Sequence, residues 1–172
     1  MNSTSDAARS IFVTGLKNAH ALEAQATQII GRQLHRLESY PNVAERLRLH
    51  LEETKQHQQR VEEILGSLNE DYSTIKDIAA GFMGNMAALG HTPAADEILK
   101  NSFANLAFEN YEIAAYTSLI AVGEATGNAS ALGPLRQTLD EEERMAAWVK
   151  EHLRELTQRF LQLTEQGAKA DR

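Results

Sequence analysis

Cysteine is absent from this chain. That excludes disulfides, a thiolate metal site, an Fe–S cluster and a cysteine nucleophile. Proline occurs only at Pro41, Pro93 and Pro134, each at or near the start of a periodic stretch, where a helix tolerates it. Long apolar runs are also missing. The longest mostly apolar stretch, 78–89, is broken by Gly81, Gly84 and Asn85 and is too short to span a bilayer. No apolar core of a signal peptide follows Met1, so none is expected. Positive charge is in deficit, with 17 Lys and Arg against 24 Asp and Glu and a net charge of −7. This argues against nucleic acid or a membrane surface as the main partner. A cytoplasmic domain is the expectation.

What is present is helical periodicity in a chain rich in Ala, Leu, Glu and Gln. The 172 residues suffice for one domain, 1–172, with a real core. Four long segments are predicted, at about 5–38, 42–69, 93–126 and 130–166, with a short one at about 74–89. Asn42 with Glu45 resembles a capping box at the second, and Gly127 suits the position just after the third. The tail 167–172 reads as disordered. The fold class is all-α. Two helical hairpins joined by a connection long enough to cross over give a ferritin-like four-helix bundle, with the short extra helix on the crossover.

The informative residues are carboxylates where leucines belong. On a wheel of about 100° per residue, Glu23 lies within roughly 20° of Phe12, Leu16, Ile30 and Leu34. Glu142 is equally central among Leu135, Val149, Leu153 and Phe160. Glu112 is flanked by Asn105, Phe108, Tyr116 and Leu119, with Glu109 on the same side. Glu53 sits at the edge of the stripe Val43, Leu47, Leu51, Val61, Leu65, Leu68 and shares a face with His50 and His57. Glu52, Glu62, Glu63, Glu141 and Glu143 read as a solvated charged face. A single core-face glutamate can snorkel outward. Four on four helices would repel one another unless a cation gathers them.

The histidines give a weaker signal. His57 is the candidate ligand and His50 its orienting neighbour, while His20 is either a partner of Glu23 or a plain flanking residue. Tyr111 and Tyr116 could bond a ligand oxygen or simply pack. Carboxylates with one or two imidazoles and no thiolate suit iron or manganese, with zinc as a further alternative.

Three stretches then carry a resemblance: His50-Leu51-Glu52-Glu53-Thr54, Glu109-Asn110-Tyr111-Glu112-Ile113-Ala114-Ala115-Tyr116 and Thr138-Leu139-Asp140-Glu141-Glu142-Glu143. They resemble the YciF/YciE family of bacterial ferritin-like proteins over about 11–156, and Ala21-Leu22-Glu23 fits its first-helix motif more loosely. The resemblance implies a homodimeric bundle with the short helix at the dimer contact, similarity to rubrerythrin and the mini-ferritins, and a link to stress responses. In the wider di-iron pattern of such proteins, Glu23, Glu53, Glu112 and Glu142 match the carboxylates, and Glu109 with Glu112 resembles rubrerythrin's paired glutamates. Two expected histidines are replaced by Gln56 and Met145.

The metal ligands expected from this reading are Glu23, Glu53, His57, Glu109, Glu112 and Glu142, with Glu53 and Glu142 bridging two iron ions. The leading function is a ferroxidase or peroxidase-like oxidoreductase acting on Fe(II), O₂ or peroxide. A non-catalytic stress or structural protein with a stabilising metal is the second reading. An interaction module whose core glutamates are protonated or paired with Arg or Lys is the third.

Overall fold

The structure, a computed structural model, describes residues 3–71 and 94–172. Four helices account for most of these: α1 (Ser3–Leu34), α2 (Pro41–Ser67), α3 (Glu97–Ala125) and α4 (Ala129–Glu165). The described residues contain no strand. None of these helices is long and apolar enough to cross a membrane. The short helix expected at about 74–89, and the dimer contact assigned to it, lie outside the described residues.

Helix ends follow local chemistry. Pro41 opens α2 because its fixed φ suits the first turn and its missing N–H would be unpaired there anyway. The capping box expected of Asn42 and Glu45 does not form: the cap is Tyr40, and no side chain bonds the free N–H groups. Gly127, with φ +72°, ends the third helix as expected. The Asn128 N–H reaches the Gly123 carbonyl and the Gly127 N–H reaches that of Glu124, the paired bonds of a Schellman close. The third helix starts at Glu97, four residues later than the sequence suggests: 95–96 form a turn, and Asp96 stands at the N-cap position without a side-chain cap bond.

Side-chain contacts fix the topology. Glu23 and Gln33 of α1, and Arg36 in the turn just after it, meet Tyr116, Asn105 and Glu97 of α3, so these helices are antiparallel neighbours. His57 and Arg60 of α2 meet Glu141 and Thr138 of α4. Each helix also packs along its hairpin partner, which leaves α1 diagonal to α4 and α2 diagonal to α3. Arg9 bonds the Leu68 carbonyl at one end of the bundle, while Arg36 grips Glu97 at the other. The second helix therefore finishes, and the third begins, at opposite ends, and the two run in the same direction. That is the crossover topology rather than the simple up-down-up-down one.

The core has two apolar ends. One gathers Phe12, Leu16, Val61, Leu65, Leu119 and Leu135. The other gathers Ile30, Leu47, Ile98, Met145, Val149 and Leu156. The C-terminal tail corrects the sequence expectation, since it is docked rather than disordered. Tyr40 Oη donates to the Ala170 carbonyl at 2.6 Å, the Ser39 N–H to Arg172 O at 3.3 Å and the Ile98 N–H to Asp171 O at 3.1 Å. The tail thus receives the unspent N–H groups of the α1–α2 turn and of the first turn of α3.

Candidate metal centre

Between the two apolar ends lies a layer of a different kind. Inward positions on every helix recur at alternating steps of three and four, the spacing of packed bundles. On α1 the register runs Leu16, Ala19, Glu23, Ala26, Ile30; on α2, Leu47, His50, Thr54, His57, Val61; on α3, Asn105, Glu109, Glu112, Tyr116, Leu119; on α4, Leu135, Thr138, Glu142, Met145, Val149. In mid-bundle this register delivers acids and imidazoles instead of hydrocarbons. Glu23, His57 and Glu142 are fully buried, with His50 and Glu112 at 1 % exposure and Glu109 at 4 %.

Two groups of three share one residue. Glu23, His57 and Glu142 each bring a ligand atom within 4.8 Å of the others, and so do His50, Glu109 and Glu142. His57 Nδ1 lies 2.8 Å from Glu142 Oε1 and 3.3 Å from Glu23 Oε2. His50 Nε2 lies 3.3 Å from Glu109 Oε2 and 3.6 Å from Glu142 Oε2. These approaches lack hydrogen-bond alignment. Glu23 Oε2, His50 Nε2, His57 Nδ1, Glu109 Oε2, Glu112 Oε1 and both Glu142 oxygens are buried with no hydrogen-bond partner. Orphaned buried polar atoms are rare and costly, and here they converge.

The outward atoms of the same residues are satisfied. Tyr116 Oη donates to Glu23 Oε1 at 2.5 Å. His57 Nε2 bonds Glu141 Oε2 at 2.8 Å, and Glu141 is gripped by Arg60 at 2.6 Å. His50 Nδ1 bonds Glu53 Oε2 at 3.1 Å, and the same oxygen meets Arg46 at 3.1 Å. Each imidazole therefore has one nitrogen turned into the layer and the other backed by a carboxylate held by an arginine.

Without a cation, the charges are forced into unusual states. Burial, reinforced by the Glu142, Glu23 and Glu109 charges, holds the Glu112 carboxyl well above the usual range. Burial raises Glu23 as well, against the opposing influence of the nearby His57. Glu142 is pushed up to about 7, mainly by burial. Burial would lower both histidines, but their carboxylate neighbours outweigh it and lift each to about 10. Glu53 behaves in the opposite way: its bond to His50 and the nearby Arg46 hold it down to about 2.

The structure brings together five of the six residues named from the sequence: Glu23, His57, Glu109, Glu112 and Glu142. It leaves Glu53 at the rim, 27 % exposed in its side chain, behind His50 and outside both groups. Its place is taken by His50, one step along the inward register. Glu141 corrects the sequence reading more plainly. It is not part of a solvated face; it is buried between His57, Arg60 and Gln137. The signal for His50 was available: His50 and His57 are seven residues apart, on the spacing that links Val43, Leu47 and Val61, but the stripe drawn through Leu51 hid it. No local signal marks Glu141, since its partners Arg60 and His57 come from another helix. His20 bonds Glu62 at 2.7 Å, on the flank. The inner four glutamates have no Arg or Lys partner among the described residues, so the third functional reading keeps only its protonated form.

Comparison with known proteins places the chain in a family. A protein of Xanthomonas campestris pv. campestris shares the fold with a TM-score of 0.78 and 27 % identity, over 92 % of this chain and 98 % of that one. The Escherichia coli stress protein YciF matches with a TM-score of 0.71 and 23 % identity over 89 % and 96 % of the two chains. YcfI of Rhodopseudomonas palustris matches with a TM-score of 0.66 and 22 % identity over 83 % and 92 %. The family model described as a domain of unknown function, DUF892, matches residues 7–162, nearly the whole chain, and the chain belongs to this YciF-type family.

Proposed function

We propose that the mid-bundle layer is a carboxylate-rich centre for two divalent metal ions, and that the ions are iron. The convergence of seven buried, unpartnered donor atoms carries this reading. Four carboxylates and two neutral imidazoles balance two divalent cations, which offsets the burial and like-charge repulsion that otherwise raise the Glu112 and Glu23 carboxyls. Oxygen donors with imidazole nitrogen and no thiolate suit iron and manganese better than soft-ligand metals. One position would be held by Glu23 and His57, the other by His50 and Glu109. Glu142 belongs to both groups, and Glu112 lies among the inner acids.

A pair of ferrous ions would supply electrons for the reduction of O₂ or peroxide. The chain itself excludes bulk water with its apolar ends, holds Glu23 through Tyr116 and orients the histidines. The burial of every inner residue suits a small diffusible oxidant. The same burial favours a second reading, in which the metal stabilises the bundle and turns nothing over. Elemental analysis of protein from iron-replete medium tests the common part: about two iron ions per chain are expected, and Glu142→Ala should lose most of them. Wild-type metal content in that variant contradicts the assignment. Stopped-flow Fe(II) oxidation separates the two readings, since the catalytic one requires multiple turnovers. A homodimer through 74–89 completes the proposal, and Phe82→Asp should give a metal-loaded monomer by light scattering.

A further inference from the structure

The two histidines are backed in different ways, and the difference follows from where each backing carboxylate is rooted. Glu53 lies on the same helix as His50, three residues on, and Arg46 that holds it is on that helix too. A carboxylate so close to the backbone meets the near ring nitrogen, Nδ1, at 3.1 Å. The far nitrogen, Nε2, is then left to enter the layer beside Glu109. His57 is backed from across the bundle. Glu141 stands on α4, where Arg60 grips it at 2.6 Å and Gln137 donates to it at 3.0 Å. A carboxylate on the opposite helix meets the far nitrogen, Nε2, at 2.8 Å, so Nδ1 is turned into the layer beside Glu23 and Glu142.

From this we infer that Glu53 and Glu141 are positioning residues which present unlike ring nitrogens to the two metal positions, Nε2 of His50 and Nδ1 of His57, and so make the positions chemically distinct. The inference rests on the metal-binding reading above. A ring N–H donated to a carboxylate leaves the other nitrogen as the lone-pair donor, which fixes both tautomer and ring orientation. The backing at His57 joins two helices and is the more enclosed, with side-chain exposures of 11 % for Glu141 and 13 % for Arg60 against 27 % and 15 % for Glu53 and Arg46. The His57 position is therefore the more rigid of the two, and it should bind metal more tightly, because less freedom is lost on binding.

The test uses the whole chain loaded with zinc chloride, which is diamagnetic, and long-range ¹H–¹⁵N correlation spectra of the imidazoles. One histidine should show zinc on Nδ1 and another zinc on Nε2. Glu141→Ala should erase the Nδ1 pattern and weaken the tighter zinc equivalent by about 10- to 100-fold, while the Nε2 pattern persists. Glu53→Ala should do the reverse. Glu141→Gln keeps an acceptor oxygen and should keep the Nδ1 pattern, which separates positioning from general damage to the fold if the alanine variant is unstable. Zinc bound through the same nitrogen of both rings overturns the inference and leaves the metal reading intact. No imidazole shift on zinc addition overturns both.

Discussion

The ends of this bundle and its middle use the same inward register for opposite purposes. At the ends the register carries Phe12, Leu16, Leu65 and Leu135, or Ile30, Leu47, Ile98 and Leu156, and burial itself is the source of stability. In the middle it carries Glu23, His57, Glu109, Glu112 and Glu142, and burial is the source of cost. The ends hold the middle in place against its own charge repulsion. What the fold gives up in stability there, it retains as a set of fixed, unpartnered donor atoms.

The comparison can be broken at the ends first. Leu16→Ala removes a fully buried side chain and should cost about 2–5 kcal/mol in apo and metal-loaded protein alike, measured by denaturant unfolding. In the middle, the sign should reverse. Glu112→Leu removes an acid whose ionisation burial and its acidic neighbours oppose, so the apo protein should gain roughly 1–3 kcal/mol, as when other buried ionisable groups are replaced by apolar ones. The same variant should lose metal. A destabilised apo Glu112→Leu protein would mean that the middle is an ordinary polar core.

A pH series sharpens the contrast. Glu142 titrates near 7 in the folded chain against 4.5 in a model carboxyl, and His50 and His57 near 10 against 6.5. In each case the folded state holds its proton more tightly, so the stability from these groups is full at low pH and is lost as pH rises, between about 4.5 and 7 for Glu142 and between about 6.5 and 10 for the histidines. Metal must displace those same protons, so its affinity should rise with pH. Melting temperature should fall with pH for apo protein, and the gap between loaded and apo protein should widen. A smaller effect is expected at the edge of the layer. Gln33 and Asn105 exchange two hydrogen bonds at 2.9 Å, and Gln33→Ala should cost about 1–3 kcal/mol by leaving Asn105 short of partners, with metal content unchanged.

The helices, the crossover and most of the layer were legible in the sequence because periodicity is a local property. Glu23 and Glu142 sit mid-stripe with apolar neighbours a full register step away on both sides, so their direction was unambiguous. The second helix was harder. Leu51 drew the stripe aside, and the register through His50, Thr54 and His57 has no apolar residue to mark it. That rotation of part of a turn moved Glu53 into the expected site and left His50 outside it. Glu141 looked like one acid in the run 140–143, and only Arg60 on the facing helix makes it buried. The docked tail was invisible for the same reason, since its partners Ser39, Tyr40 and Ile98 are distant in sequence.

The most direct test is anaerobic titration of apoprotein with Fe(II), with bound metal counted per chain and the melting temperature followed in parallel. The expected result is saturation at two ions per chain with a rise in melting temperature, about 2.7 kcal/mol of added stability when free metal stands at 100 times its dissociation constant. Saturation at one ion or fewer, or binding that leaves the melting temperature unmoved, would contradict the claim that the charged middle of the bundle is built around a metal pair.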